Sequence, residues 1–152
     1  MQTRVTGQSK AQASREFSKK LLLLVAAGGA AFWITDFLIA VSPITVQYQA
    51  AFSISSLPAA LVAALAGGLM IAFFISFSLL RYFDRIPGKN PIYKALILSF
   101  GAMAMIEVLS ALGNLSHTSV ILLDTLMNAP RFLALGLVIG FVFDGQNRKV
   151  QL

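Results

Sequence analysis

Three carboxyl groups and one guanidinium lie where lipid would make them costly. Asp36, Glu107, Asp124 and Arg131 each fall inside a long apolar run, and the other charged residues lie outside those runs. An ionised side chain in hydrocarbon is expensive unless paired or wetted, and such groups mark ion, proton or substrate pathways. Asp124, Asn128 and Arg131 are spaced i, i+4, i+7 and so share one stripe of a helix. A guanidinium meets a carboxylate through parallel hydrogen bonds, so Arg131 is expected to donate to Asp36 or Glu107. Three negative charges and one positive cannot all stay ionised cheaply in low dielectric, so one acid, Glu107 first, is expected to carry a proton. A carboxyl that exchanges a proton inside a membrane is what a proton-coupled carrier uses. The same residues also suit a structural use, since a buried Arg–carboxylate pair can fix helix register and orientation. Asp124, near the start of its helix, fits the macrodipole and a wetted interface. Asp36, beside Trp33 and Thr35, could likewise be reached by water.

Other chemistries lack their residues. Cysteine is absent, which removes disulfides, thiolate nucleophiles and Cys metal sites. His117 is the sole histidine and falls in a short loop, so neither a haem nor a His-carboxylate metal set can be assembled. There is no P-loop, no GxSxG and no dinucleotide fingerprint. Gly28-Gly29 and Gly67-Gly68 read as helix-packing glycines rather than phosphate loops. The expectation is a protein that is not an enzyme and uses no cofactor or metal.

The elements that must position these charges follow from composition. The 152 residues leave room for one domain. They are 57% hydrophobic and 12% charged, against about 25% charged in soluble domains. With a mean hydropathy of +0.79, lipid must be the solvent for most of the surface. Four spans are expected, at about 21–41, 57–80, 93–112 and 120–143, each near the roughly 20 residues that cross a bilayer. The first run is longer than the about 7–15 apolar residues of a signal peptide, so it is read as a retained span. Residues 1–20 form a basic tail whose first dozen residues are expected to be disordered. A short helix from Ala13 to Lys20 would turn Phe17 to the membrane and Arg15, Lys19 and Lys20 to headgroups. Residues 144–152 form a second tail.

Punctuation supports those boundaries. Ser42-Pro43 ends the first helix. Ser56 and Pro58 open the second, Pro87-Gly88 marks a turn, and Asn90-Pro91 reads as a cap and first helical position. The uncharged stretch between the first two spans could lie in the interface, anchored by Tyr48 and Phe52. Rows of small residues, Ala59-Ala63-Gly67 and Ala60-Ala64-Gly68, would let another backbone approach the second helix, while its half from Phe73 to Leu80 would face lipid. Gly136 and Gly140 offer a similar face on the fourth.

Charge sets the orientation. Of 12 Lys and Arg residues, five lie in the N-terminal tail, four in 81–94, two near the C-terminus and one, Arg131, within a span. The 41–56 and 113–119 loops hold none. Positive residues stay inside, so both termini are expected in the cytoplasm. The formal charge of +6 and pI near 10.1 reflect this flanking pattern, not a nucleic-acid patch. At a rise of ~1.5 Å per residue, all four buried charges fall between the midplane and the outer face of the bilayer. Pro130 interrupts the polar stripe and leaves the carbonyl of Leu126 without its usual donor, so the fourth helix is expected to kink with its seam turned inward.

The first span, LLLLVAAGGAAFWITDFLIA, resembles the opening helix of GtrA-type four-span proteins, a family of carriers of lipid-linked sugars. The likeness covers some 20 residues, with Asp36 the distinctive match. The long uncharged loop before the second span and Arg131 depart from that pattern, and no site is taken from it.

The sequence therefore predicts an all-α integral membrane protein, a bundle of four transmembrane helices in the plasma (inner) membrane with both termini cytoplasmic. The function expected is a small oligomeric carrier or channel. Its buried cluster of Asp36, Glu107, Asp124, Asn128 and Arg131 would serve a cation, proton or small solute. Gly67, Gly68, Gly136 and Gly140 would pack helices within or between copies. The alternative is an accessory or assembly subunit whose charges and small-residue faces meet partner membrane subunits. A membrane-embedded enzyme acting on lipid ranks last, for want of a nucleophile or metal set. The partners expected are the lipid bilayer and either copies of the chain or other membrane subunits, with no nucleic acid.

Overall fold

The computed structural model describes residues 3–43, 56–113 and 118–148. Tyr48, Phe52 and His117 lie outside the described residues. The described chain is all helical: α1 (Thr3–Ala40), α2 (Leu57–Tyr82), a short 3-10 turn (Phe83–Arg85), α3 (Pro91–Gly113) and α4 (Thr118–Arg148). All four long helices are long and apolar enough to cross a membrane, the qualifying stretches being Gln12–Ala40, Leu57–Arg85, Pro91–Leu112 and Leu122–Arg148.

The local signals act mostly as read. Pro58 sits in the first turn of α2 and Ser56 takes the N-cap position, although its side chain makes no capping bond. At α3 the cap is made: the Ile92 amide donates to Asn90 Oδ1 at 2.9 Å. Gly88 adopts φ +106°, the left-handed turn geometry that favours glycine. α4 continues as one helix with Pro130 inside it.

The N-terminal expectation is corrected. The helix does not wait for residue 13 or 21 but starts at Thr3. Once a long helix is nucleated, each added residue gains a hydrogen bond at little further cost, so a polar segment can ride on an apolar one. Phe17 does not simply face lipid, because its ring meets Phe77 of α2 edge-on at 6.2 Å.

Each helix packs on its sequence neighbours, and α4 closes against α1. α1 and α3 barely touch. Call the end that carries Lys19, Arg81, Arg85, Lys89 and Arg148 the basic end, and the end at Ala40, Leu57 and Gly113 the uncharged end. The core is biased toward the basic end. It joins Leu24 and Phe32 of α1, Ala72, Ile75 and Leu79 of α2, Ala95 of α3, and Phe132, Leu135, Ile139 and Phe143 of α4. Phe32 and Phe132 meet edge to face at 5.6 Å, and Phe83 stacks on Phe143 at 5.2 Å. The Phe73–Leu80 half of α2, expected against lipid, is split: Ile75, Ser76 and Leu79 are buried while Phe73, Phe74 and Phe77 are exposed. Toward the uncharged end the bundle loosens, and no residue of 57–67 or 100–112 is buried.

Small residues make the tight half possible. A Cβ on Gly140 would stand 2.5 Å from the Ile92 Cα, and one on Gly136 would stand 3.2 Å from the Leu96 Cα, so α4 and α3 touch backbone to backbone. Gly68 admits the Phe32 ring, whose Cδ1 would be 2.8 Å from an added Cβ. Gly67 packs on no other helix among the described residues: nothing there lies within 4 Å of its added Cβ. Of the two small-residue rows on α2, the one ending in Gly68 packs on α1, and the one ending in Gly67 points elsewhere.

Candidate functional site: a polar chain across three helices

Four of the five polar residues singled out from the sequence form a continuous chain. Arg131 Nη2 on α4 contacts Asp36 Oδ1 on α1, with 9% and 13% of the two side chains exposed. The other guanidinium nitrogen, Nη1, donates to Asn128 Oδ1 at 2.8 Å. Asn128 Nδ2 then donates to Glu107 Oε1 on α3 at 2.8 Å. The order is acid, guanidinium, amide, acid, and it joins the two helices that barely pack on one another.

The helices dictate this geometry. Asn128 and Arg131 are three residues apart on α4, so their side chains lie on one face and can meet. The amide has a forced orientation. A guanidinium only donates, so it must take the amide oxygen, which leaves Nδ2 to face Glu107. A flipped amide would set nitrogen against nitrogen on one side and oxygen against carboxylate oxygen on the other. The second oxygen of Glu107, Oε2, is buried and has no hydrogen-bond partner among the described residues. Asp124 lies one turn beyond Asn128, half-buried and itself engaged. The chain is made by the other four residues.

The expected choice of Arg131 partner resolves asymmetrically: it pairs with Asp36 directly and reaches Glu107 through Asn128. The chain sits at the boundary between the tight and loose halves of the bundle. Its neighbours toward the basic end are Phe132 and Leu135, 1% and 0% exposed. Toward the uncharged end, α2 and α3 present no buried residue. A polar layer lying on an apolar plug can exchange ions or protons with one side while the plug blocks the other. Among the described residues no three His, Asp or Glu side chains gather closely enough to hold a metal ion.

Several polar residues escaped the sequence reading. Lys94, counted there as a topology-setting charge, is 5% exposed. Its Nζ donates to the Phe83 carbonyl at 2.6 Å and stands 3.7 Å above the Phe83 ring. Ser99 is fully buried and donates to the Phe132 carbonyl at 2.5 Å. A signal for Ser99 existed, since Ser99, Met103 and Glu107 follow one another at four-residue intervals along α3. Trp33 Nε1 donates to the Leu61 carbonyl of α2 at 3.0 Å. Near the basic end an open groove of about 530 Å³ lies between Asn90, Ile92, Phe141 and Asp144, away from the polar chain.

The chain matches no family model, no curated relative and no solved structure.

Proposed function

We propose that this protein is a small multi-pass membrane carrier or channel in which Glu107 exchanges a proton or cation, with both termini in the cytoplasm of a cell whose plasma (inner) membrane it spans. One observation carries the reading: the Glu107 carboxyl is tied at Oε1 while Oε2 is buried and has no hydrogen-bond partner among the described residues. A buried acceptor without a partner is unfavourable, and a proton or small cation relieves it. Asp36 and Arg131 balance one another, so within the four-residue chain the charge left to vary is that of Glu107. On this orientation the loose half of the bundle opens outward and the aromatic plug faces the cytoplasm.

The test uses protein reconstituted in liposomes loaded with a pH-sensitive dye and driven by a potassium diffusion potential. Wild type should move protons above the protein-free baseline, and Glu107→Gln should return to that baseline while remaining folded by circular dichroism. Flux equal to protein-free liposomes in wild type, or unchanged flux in Glu107→Gln, overturns the proposal.

A second reading, an accessory subunit or a homo-oligomer whose site is completed by a neighbour, is favoured by the open face beside Gly67 and the exposed Ala59 and Ala63. Small residues on an unpacked helix face suit close approach by another helix.

A further inference from the structure

Resting on the reading of Glu107 as the exchanging acid, we infer that Asn128 is a positioning residue whose amide couples the charge state of Glu107 to the separation of α1 and α3 at the uncharged end.

The amide is polarised by its neighbours. Arg131 Nη1 occupies Oδ1, and Nδ2 is committed to Glu107 Oε1, each at 2.8 Å. Asn128 is 9% exposed, so water does not readily replace either partner. A proton arriving on Glu107 must sit on Oε2, because Oε1 already faces a donor. There it becomes a buried hydroxyl at an oxygen that has no hydrogen-bond partner among the described residues. Such a donor drives the carboxyl to turn toward an acceptor, which breaks the bond to Asn128.

Among the described residues, little else holds the two helices together at this depth. α1 and α3 barely touch, and residues 57–67 and 100–112 on the flanking helices contain no buried residue. Loss of the amide bond therefore leaves α3 packed on α4 but unties Glu107 from the Asp36–Arg131 pair, so that α3 can tilt away from α1 at the uncharged end. Among the described residues, the ionisable groups facing this point are Asp36 from α1, Arg131 and Asp124 from α4 and Glu107 itself. α2 supplies none between Leu57 and Leu80. Asp36 is held by Arg131. Asp124 is the other acid whose charge could act here, and the test controls for it.

The chain contains no cysteine, so introduced thiols can be labelled cleanly. Val41→Cys and Leu112→Cys place spin labels on exposed positions at the uncharged ends of α1 and α3. Distances are then read by pulsed electron resonance in lipid nanodiscs across a pH series, on the full chain. The parent should shift to longer distances on acidification, and Glu107→Gln should show no pH response. Asn128→Ala should lose the response although Glu107 is intact. Asn128→Asp keeps an acceptor for Arg131 but turns a second carboxylate to Glu107. Its response should reverse, apart when both are ionised and together when they share one proton. Asp124→Asn should respond like the parent. A merely structural Asn128 would alter stability or mean distance without removing or inverting the pH response.

A pH response absent from the parent, unchanged in Asn128→Ala and Asn128→Asp, or lost in Asp124→Asn overturns the inference. If Asn128→Ala does not insert, the reversal in Asn128→Asp decides. Failure of both to fold also counts against a positioning role. Proton flux lost in Glu107→Gln with the distance response surviving in the Asn128 variants removes this inference alone. Flux untouched by Glu107→Gln removes the functional reading, whatever the distances do.

Discussion

Arg131 of α4 and Asp36 of α1 pair across a helix interface with less than a seventh of either side chain exposed. A nearly dry ion pair of this kind contributes less to stability than its Coulomb energy suggests, because both ions lose water. It is also harder to break than to replace. Each partner left alone is a buried charge.

Asp36→Asn should therefore destabilise the protein by about 3 kcal/mol, since it takes away the acid that the guanidinium pairs with. The double variant Asp36→Asn/Arg131→Gln should recover most of that loss. Denaturation in detergent, followed by circular dichroism, measures both. Failure of the second change to rescue the first would show that the two residues do not act as a pair. Flux separates the roles of the pair: a folded double variant that no longer moves protons has lost more than a structural staple.

Two glycines make opposite predictions. Gly140→Ala forces a Cβ to 2.5 Å from the Ile92 Cα, so α3 and α4 must part, at a cost of about 1–3 kcal/mol. Gly67→Ala meets nothing within 4 Å and should leave the monomer unchanged or more stable by up to ~1 kcal/mol through helix propensity. Thermal unfolding in one detergent compares them. Gly67→Phe carries the oligomer question. If the Ala59-Ala63-Gly67 face joins copies, this variant should run as a smaller species in light scattering while folding normally.

These glycines also mark how far the sequence could be read. The four helices were legible because apolar runs and basic flanks separate cleanly. The polar stripe was legible because Asp124, Asn128 and Arg131 recur at helical spacing. The choice between Gly67 and Gly68 was not legible, because adjacent small-residue rows differ only by the 100° turn between successive helix positions, and local sequence does not say which faces α1. The role of Asn128 was half legible. Its place on the stripe follows from spacing, but its position between Arg131 and Glu107 depends on where α3 packs. Lys94 misled because basic residues at helix ends usually serve topology, and burial over the Phe83 ring is a tertiary fact. The start of α1 at Thr3 was hidden by composition, since a polar segment carries no packing signal of its own.

Lys94→Met tests that buried ammonium. It preserves the aliphatic stem but removes the hydrogen bond to the Phe83 carbonyl and the charge over the ring, and should lower stability by about 2 kcal/mol. The Phe83–Phe143 stack at 5.2 Å ties the same turn to α4, so Phe143→Leu in the Lys94→Met background should cost less than in wild type. Strictly additive losses would mean that the two contacts are independent.

Proton exchange on Glu107 itself can be observed without knowing a transported solute. Acid-minus-alkaline infrared difference spectra of the reconstituted protein should contain a protonated-carboxyl band that disappears in Glu107→Gln and survives in Asp124→Asn. A wild-type spectrum without that band, or a band that Glu107→Gln leaves untouched, would contradict the assignment of Glu107 as the exchanging group.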